Sequence, residues 1–137
     1  VNMLETNSIT GALHHVEIYV RDLNISREFL NWLLSKLGYT VFQEWDAGVS
    51  FLKGDCYLVF VQTEERWLEP GYHRCRAGLN HLAFHGGTVE FIDAITRDLE
   101  SRGVNILYRD RHPHAGGPDS YAVFFEDPDR MKVEITL

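Results

Sequence analysis

Leu79-Asn80-His81-Leu82-Ala83-Phe84-His85 is the stretch from which the fold is read. It alternates as a strand does, with His81, Ala83 and His85 on one face. Gly86-Gly87 breaks it. Thr88 can then cap a helix whose Phe91, Ile92, Ile95 and Leu99 line one side, and Gly103 stops it. The stretch has an echo upstream, Leu13-His14-His15-Val16-Glu17-Ile18-Tyr19-Val20. There His14, Val16, Ile18 and Val20 share one face, and His15, Glu17 and Tyr19 the other. After the polar break Arg21-Asp22-Leu23-Asn24, Asn24 or Ser26 can cap a second helix over about 26–37. Phe29, Leu30, Leu33, Leu34 and Leu37 recur along it at helical spacing, and Gly38 ends it. His81 precedes Gly103 by 22 positions and His15 precedes Gly38 by 23, so the chain reads as two copies of one unit.

Each helix is followed by strand-like segments. In the first half these are 39–45, 49–53 and 56–63, separated by turns at Asp46-Ala47-Gly48 and Gly54-Asp55. In the second half they are 104–109, 120–126 and 131–137, with Asp127-Pro128-Asp129-Arg130 as the final turn. The predicted organisation is a leader over 1–10 and a single domain over 11–137. Within the domain, a first module spans about 11–64, a linker about 65–77 and a second module about 78–137. Trp67 and Tyr72 suggest that the linker packs. One helix covers only one face of a four-stranded sheet. The fold class is therefore α+β: two βαβββ modules forming a half-open barrel, their uncovered faces turned to a shared cleft.

Composition narrows the function. The 137 residues suit one domain with its own core. The formal charge of -7 disfavours nucleic acid and anionic membrane as partners. Cys56 and Cys75 lack the spacing of a disulfide framework or a thiolate zinc site, so a reducing, cytoplasmic setting is the simplest reading. No apolar run reaches the length of a membrane span, and residues 1–10 lack the pattern of a signal peptide.

Chemistry is sought on the uncovered faces. In the last strand Met131, Val133, Ile135 and Leu137 form the apolar set, which leaves Lys132, Glu134 and Thr136 for the cleft. His15, His81 and Glu134 thus share the cleft faces of three strands. Two imidazoles and a carboxylate suit a divalent metal with open positions, and three separately hydrogen-bonded structural side chains fit the alternation as well. The loop Arg109-Asp110-Arg111-His112-Pro113-His114 offers Arg109, His112 and His114 to an anionic substrate, or else is a charged surface hairpin. His14 is expected to pack on the helix side. Arg74 and Arg76, beside Tyr72, either border the cleft or are solvated linker residues, the second being the simpler reading.

The pattern resembles the vicinal oxygen chelate superfamily, which holds glyoxalase I, fosfomycin-resistance proteins, bleomycin-resistance proteins and extradiol dioxygenases. The resemblance rests on Leu13-His14-His15-Val16 with Val20-Arg21-Asp22-Leu23, on Leu79-Asn80-His81-Leu82-Ala83-Phe84, and on Phe125-Glu126-Asp127-Pro128-Asp129 with Lys132-Val133-Glu134. It implies that His15, His81 and Glu134 are ligands of a divalent ion (nickel, cobalt, zinc, manganese or iron). It implies a small-molecule substrate and a homodimer. Glyoxalase I-like members carry a further acidic ligand on the fourth strand, where this chain has Tyr57-Leu58-Val59-Phe60-Val61-Gln62 and no acid. That leaves more open metal positions and removes the usual base, so Glu17 and Tyr121 become the candidate catalytic groups. The expected function is a metal-dependent, glyoxalase-like lyase or isomerase. The alternatives are an epoxide-opening enzyme of the fosfomycin-resistance type, an extradiol-type dioxygenase, and a metal-free binder like the bleomycin-resistance proteins.

Overall fold

The computed structural model describes residues 3–137. The first module contains β1 (His15–Val20), α1 (Leu23–Lys36), β2 (Thr40–Trp45), β3 (Gly48–Lys53) and β4 (Cys56–Gln62). The second contains β5 (His81–His85), α2 (Val89–Ser101), β6 (Ile106–Leu107), β7 (Ala122–Glu126) and β8 (Lys132–Thr136). The strands form two open four-stranded sheets, ordered β1-β4-β3-β2 and β5-β8-β7-β6. In each, the opening strand lies parallel to the closing one, and the other pairs are antiparallel.

The apolar helical stripes meet the covered faces of the sheets. Leu30, Leu33 and Leu34 of α1 and Ile92, Ile95 and Leu99 of α2 join Phe51, Phe60, Phe125, Val133 and Ile135 in one buried cluster that spans both modules. The α1 cap is Asp22, two residues before Asn24 and four before Ser26, the two expected caps. Its Oδ1 accepts from the backbone N–H groups of Asn24 and Ile25, while Ser26 is buried in the helix. Thr88 caps α2 as expected, accepting from the Phe91 N–H at 3.0 Å.

Register assigns the uncovered faces, because directly paired residues point to the same side. In the first sheet His15 pairs with Tyr57, Glu17 with Val59 and Tyr19 with Val61. In the second His81 pairs with Lys132, and Ala83 with Glu134, which pairs on with Phe124. His81, Lys132 and Glu134 therefore share one open face, as the alternation predicts.

Three expectations are corrected. The strand over 104–109 shrinks to Ile106–Leu107, because Tyr108 at φ +56 turns the chain out of the sheet. Trp67 does not pack; it is 67% exposed in a short 3-10 turn. Arg74 is not solvated: it donates to the Arg130 carbonyl at 3.0 Å and pairs with the buried Glu126. The linker, the β1 edge and the 128–130 turn together enclose a cavity of about 750 Å³.

That turn ties the modules together. Asp129 accepts from the Arg21 N–H at 2.9 Å, bridging 108 positions of sequence. Asp127 holds the turn from inside, accepting from the N–H groups of Asp129 and Met131 at 2.8 and 2.9 Å. Burial pushes its carboxyl up to about 7 against the pull of those two bonds. Between the ordinary aspartate value of 3.8 and about 7, the folded chain holds a proton that the unfolded chain has released. This group's contribution to stability therefore falls as pH rises through that window, then levels off. Asp127→Asn keeps the acceptor and removes the titration. Its stability relative to the parent chain should rise between pH 4.5 and 8 by on the order of 1–3 kcal/mol. Urea unfolding at the two pH values checks this, and an equal difference at both would show that Asp127 is charged throughout.

Candidate functional site

His81 and Glu134 come together. His81 Nε2 lies 3.0 Å from Glu134 Oε1, with the side chains 31% and 15% exposed. Adjacent β5 and β8 bring them face to face, and Phe124 of β7 lies beside His81 with ring centres 6.2 Å apart. The other ring nitrogen, Nδ1, is 2.7 Å from Asn80 Oδ1. With Nδ1–H donating to that carbonyl oxygen, Nε2 turns a lone pair toward a carboxylate. Two acceptors at that separation call for a positive centre between them: a second ring proton or a cation. A metal fits. Donors bonded at about 2.1 Å and 90° apart sit about 3.0 Å from each other, and a fixed second ring nitrogen is the usual support of a metal-bound imidazole.

His15 is built by the same local rule. Its Nδ1 is 2.9 Å from Nδ1 of His14, the residue just before it, as Asn80 is just before His81. His15 stacks on Tyr57 at 4.8 Å, and its Nε2 is 3.5 Å from Glu17 Oε2. His14 is exposed and faces His15; it does not pack under the helix as expected, since β1 begins at His15, two residues later than the expected strand. What one chain does not do is join His15 to the other pair. Among the described residues no three His, Cys, Asp or Glu side chains gather closely enough to hold an ion.

The other candidates disperse. At the end of β4, the strand on which glyoxalase I-like members carry a further ligand, Gln62 accepts from the Leu23 N–H and donates to the Arg21 and Thr63 carbonyls. The Tyr121 hydroxyl donates to Asp93 on α2, on the covered side of the sheet, and that bond, with burial second, raises it above the usual tyrosine range. Its parity with the core residues Val123 and Phe125 was the signal that it points away from the cleft. Arg109 pairs with Glu100 at 3.8 Å, His114 Nδ1 contacts the Ser120 carbonyl at 2.6 Å, and His112 is half-buried in the loop. Glu126 is a buried structural acid: burial pushes it up, but hydrogen bonds from Arg130 and Asn105 outweigh that and hold it below the usual range.

One group on the open face had no sequence signal. Tyr108 swings over β7, its ring 5.4 Å from Phe124. Its positive φ is costly for an aromatic residue, on the order of 1–3 kcal/mol, and such strain collects at working sites. Lys132 donates to its hydroxyl at 3.3 Å, and Arg111 lies over its ring at 4.9 Å.

The comparisons with known proteins agree with this architecture. Residues 12–135 match the model of the Glyoxalase/Bleomycin resistance protein/Dioxygenase superfamily. The chain belongs to that superfamily. This superfamily member is 55% identical to the uncharacterised protein YqjT of Bacillus subtilis, over 90% of this chain and 96% of that one. It superposes on a Bacillus halodurans protein provisionally named a glyoxalase with a TM-score of 0.92 and 56% identity, covering 93% and 96% of the two chains. A likeness in fold alone extends to FosX, a fosfomycin resistance protein of Listeria monocytogenes, solved with Mn(II) and a dihydroxypropylphosphonic acid (TM-score 0.63, 20% identity, 92% and 89% covered). No helix among the described residues is long and apolar enough to cross a membrane.

Proposed function

We propose that this protein is a metal-dependent enzyme of the glyoxalase type, with His81 and Glu134 of one chain and His15 of a second copy holding a divalent ion. The observation that carries the reading is the His81–Glu134 pair, 3.0 Å apart on an open face with the imidazole anchored by Asn80. Membership of a superfamily in which FosX is solved with Mn(II) supports it. When bound, the ion would act as a Lewis acid toward two oxygens of a small substrate. The chain's own residues do the rest. Asn80 and His14 hold the two rings with Nε2 outward. In this reading Glu17, whose Oε2 lies 3.5 Å from His15 Nε2, would take and return a proton. Tyr121 has no part, its hydroxyl being committed to Asp93.

A second copy is invoked because each open face carries half of a donor set. The first sheet also exposes Tyr19, Phe42 and Trp45, aromatic surface that a partner's face would cover. Protein purified without an affinity tag should carry, or take up on titration, close to one Mn(II), Co(II), Ni(II), Fe(II) or Zn(II) per chain. Asn80→Leu should weaken that binding about 10–100-fold by freeing the ring. A parent chain that neither contains nor takes up metal would overturn the reading and favour a binding protein.

A further inference from the structure

We infer that Lys132 and Arg111, gathered on Tyr108, form a binding site for the oxyanion of a small carboxylate or phosph(on)ate. The metal reading enters only in placing that oxyanion on the same ligand that reaches His81 and Glu134; the anion site itself is read from the cations.

The first observation is a convergence of two cations on one ring in a chain of net charge -7. Arg21, Arg66, Arg74, Arg109 and Arg130 each face a glutamate at ion-pair distance. Among the described residues the other eight lysines and arginines face none, and of these only Lys132 and Arg111 meet on the same ring. Their common partner is a ring: Lys132 Nζ lies 5.6 Å and Arg111 Cζ 4.9 Å from the Tyr108 centroid. Arg111 lies over the ring face, which keeps its N–H groups free for a ligand, while Lys132 sits at the hydroxyl edge of the same ring. Lys132 uses one of its three donors, on the Tyr108 hydroxyl, and Arg111 is exposed.

The second observation is the backbone that makes the arrangement. Tyr108 holds φ +56, and its carbonyl accepts from the N–H groups of both Arg111 and His112 at 3.0 Å. That turn folds Arg111 back over the ring. The same turn takes the chain out of the sheet after Leu107.

The third is position. Lys132 is the register partner of His81, and Phe124 touches both the Tyr108 and the His81 rings. Lys132 and Glu134 are two residues apart on one face, about 6.6 Å along the strand. A ligand of a few heavy atoms spans that distance. The two cations also offset the repulsion that Glu134 exerts on an approaching anion.

The test titrates the protein with inorganic phosphate, methylphosphonate and acetate at constant ionic strength, followed by calorimetry, before and after metal chelation. At least one oxyanion should bind with and without chelation. Lys132→Gln and Arg111→Gln should each weaken it tenfold or more, while Arg109→Gln, whose arginine is already paired, leaves it unchanged. Tighter phosphate than acetate identifies a phosph(on)ate ligand, and the reverse order a carboxylate. Binding abolished by chelation but untouched by Lys132→Gln would put the anion on the metal, overturning this site while leaving the metal reading intact. No binding of any of the three anions would overturn it too.

Discussion

His15→Ala and Glu134→Ala chains should each fail to bind metal alone, and should recover about one quarter of the parental sites when mixed under conditions that exchange subunits. The arithmetic follows from a two-fold dimer with shared sites. Half of the mixed population pairs unlike chains, and each such pair has one site with both substitutions and one with neither. If instead the three side chains met within one chain, mixing would recover nothing. The geometry favours the shared arrangement: His81 and Glu134 are 3.0 Å apart, yet no third donor joins them among the described residues of a single chain. Metal content of the separated and mixed proteins reads the result. Recovery of no sites on mixing, with parental protein fully loaded, would reject the two-chain site.

The second large effect concerns the fold. Phe125 lies fully buried in β7, paired with Ile106 on one side and Val133 on the other, inside the cluster that unites the modules. Phe125→Ala should cost about 3–5 kcal/mol, the loss of a buried aromatic plus the cavity it leaves. That is a large share of the roughly 5–15 kcal/mol by which domains of this kind are stable. The urea midpoint should fall sharply with little change in slope. Phe42→Ala, on the exposed β2 strand, should stay within about 1 kcal/mol in the isolated chain. A midpoint close to the parental one for Phe125→Ala would mean that the two helices do not share one core.

Much of this was legible before any coordinates. Period-two alternation placed His81 and Glu134 on the same uncovered face, and helical spacing named the buried residues of α1 and α2. Alternation reports a face and says nothing of which sheet that face meets, so it could not separate His15 from the other two. The α1 cap was misplaced because Asp22, Asn24 and Ser26 are all competent caps, and only the turn after β1 selects Asp22. In the charged loop, Arg109 is the arginine offered to an anion from sequence, and Arg111 is passed over. What separates them is the left-handed backbone of Tyr108, which nothing in the composition of an aromatic residue foretells. Tyr121 shows the reverse: its place was encoded in parity with Val123 and Phe125, and its reactive hydroxyl drew attention away from that.

The parallel pairing of opening and closing strands has a consequence for how the molecule is made. His15–Val20 finds its partner once Cys56–Gln62 has left the ribosome, so the first half can close early in synthesis. His81–His85 must wait for Lys132–Thr136, with β6 and β7 already outside and an unpaired edge still open to other nascent chains. Until β8 emerges, the second sheet lacks the strand that joins its opening strand to β7, so its pairing is completed last.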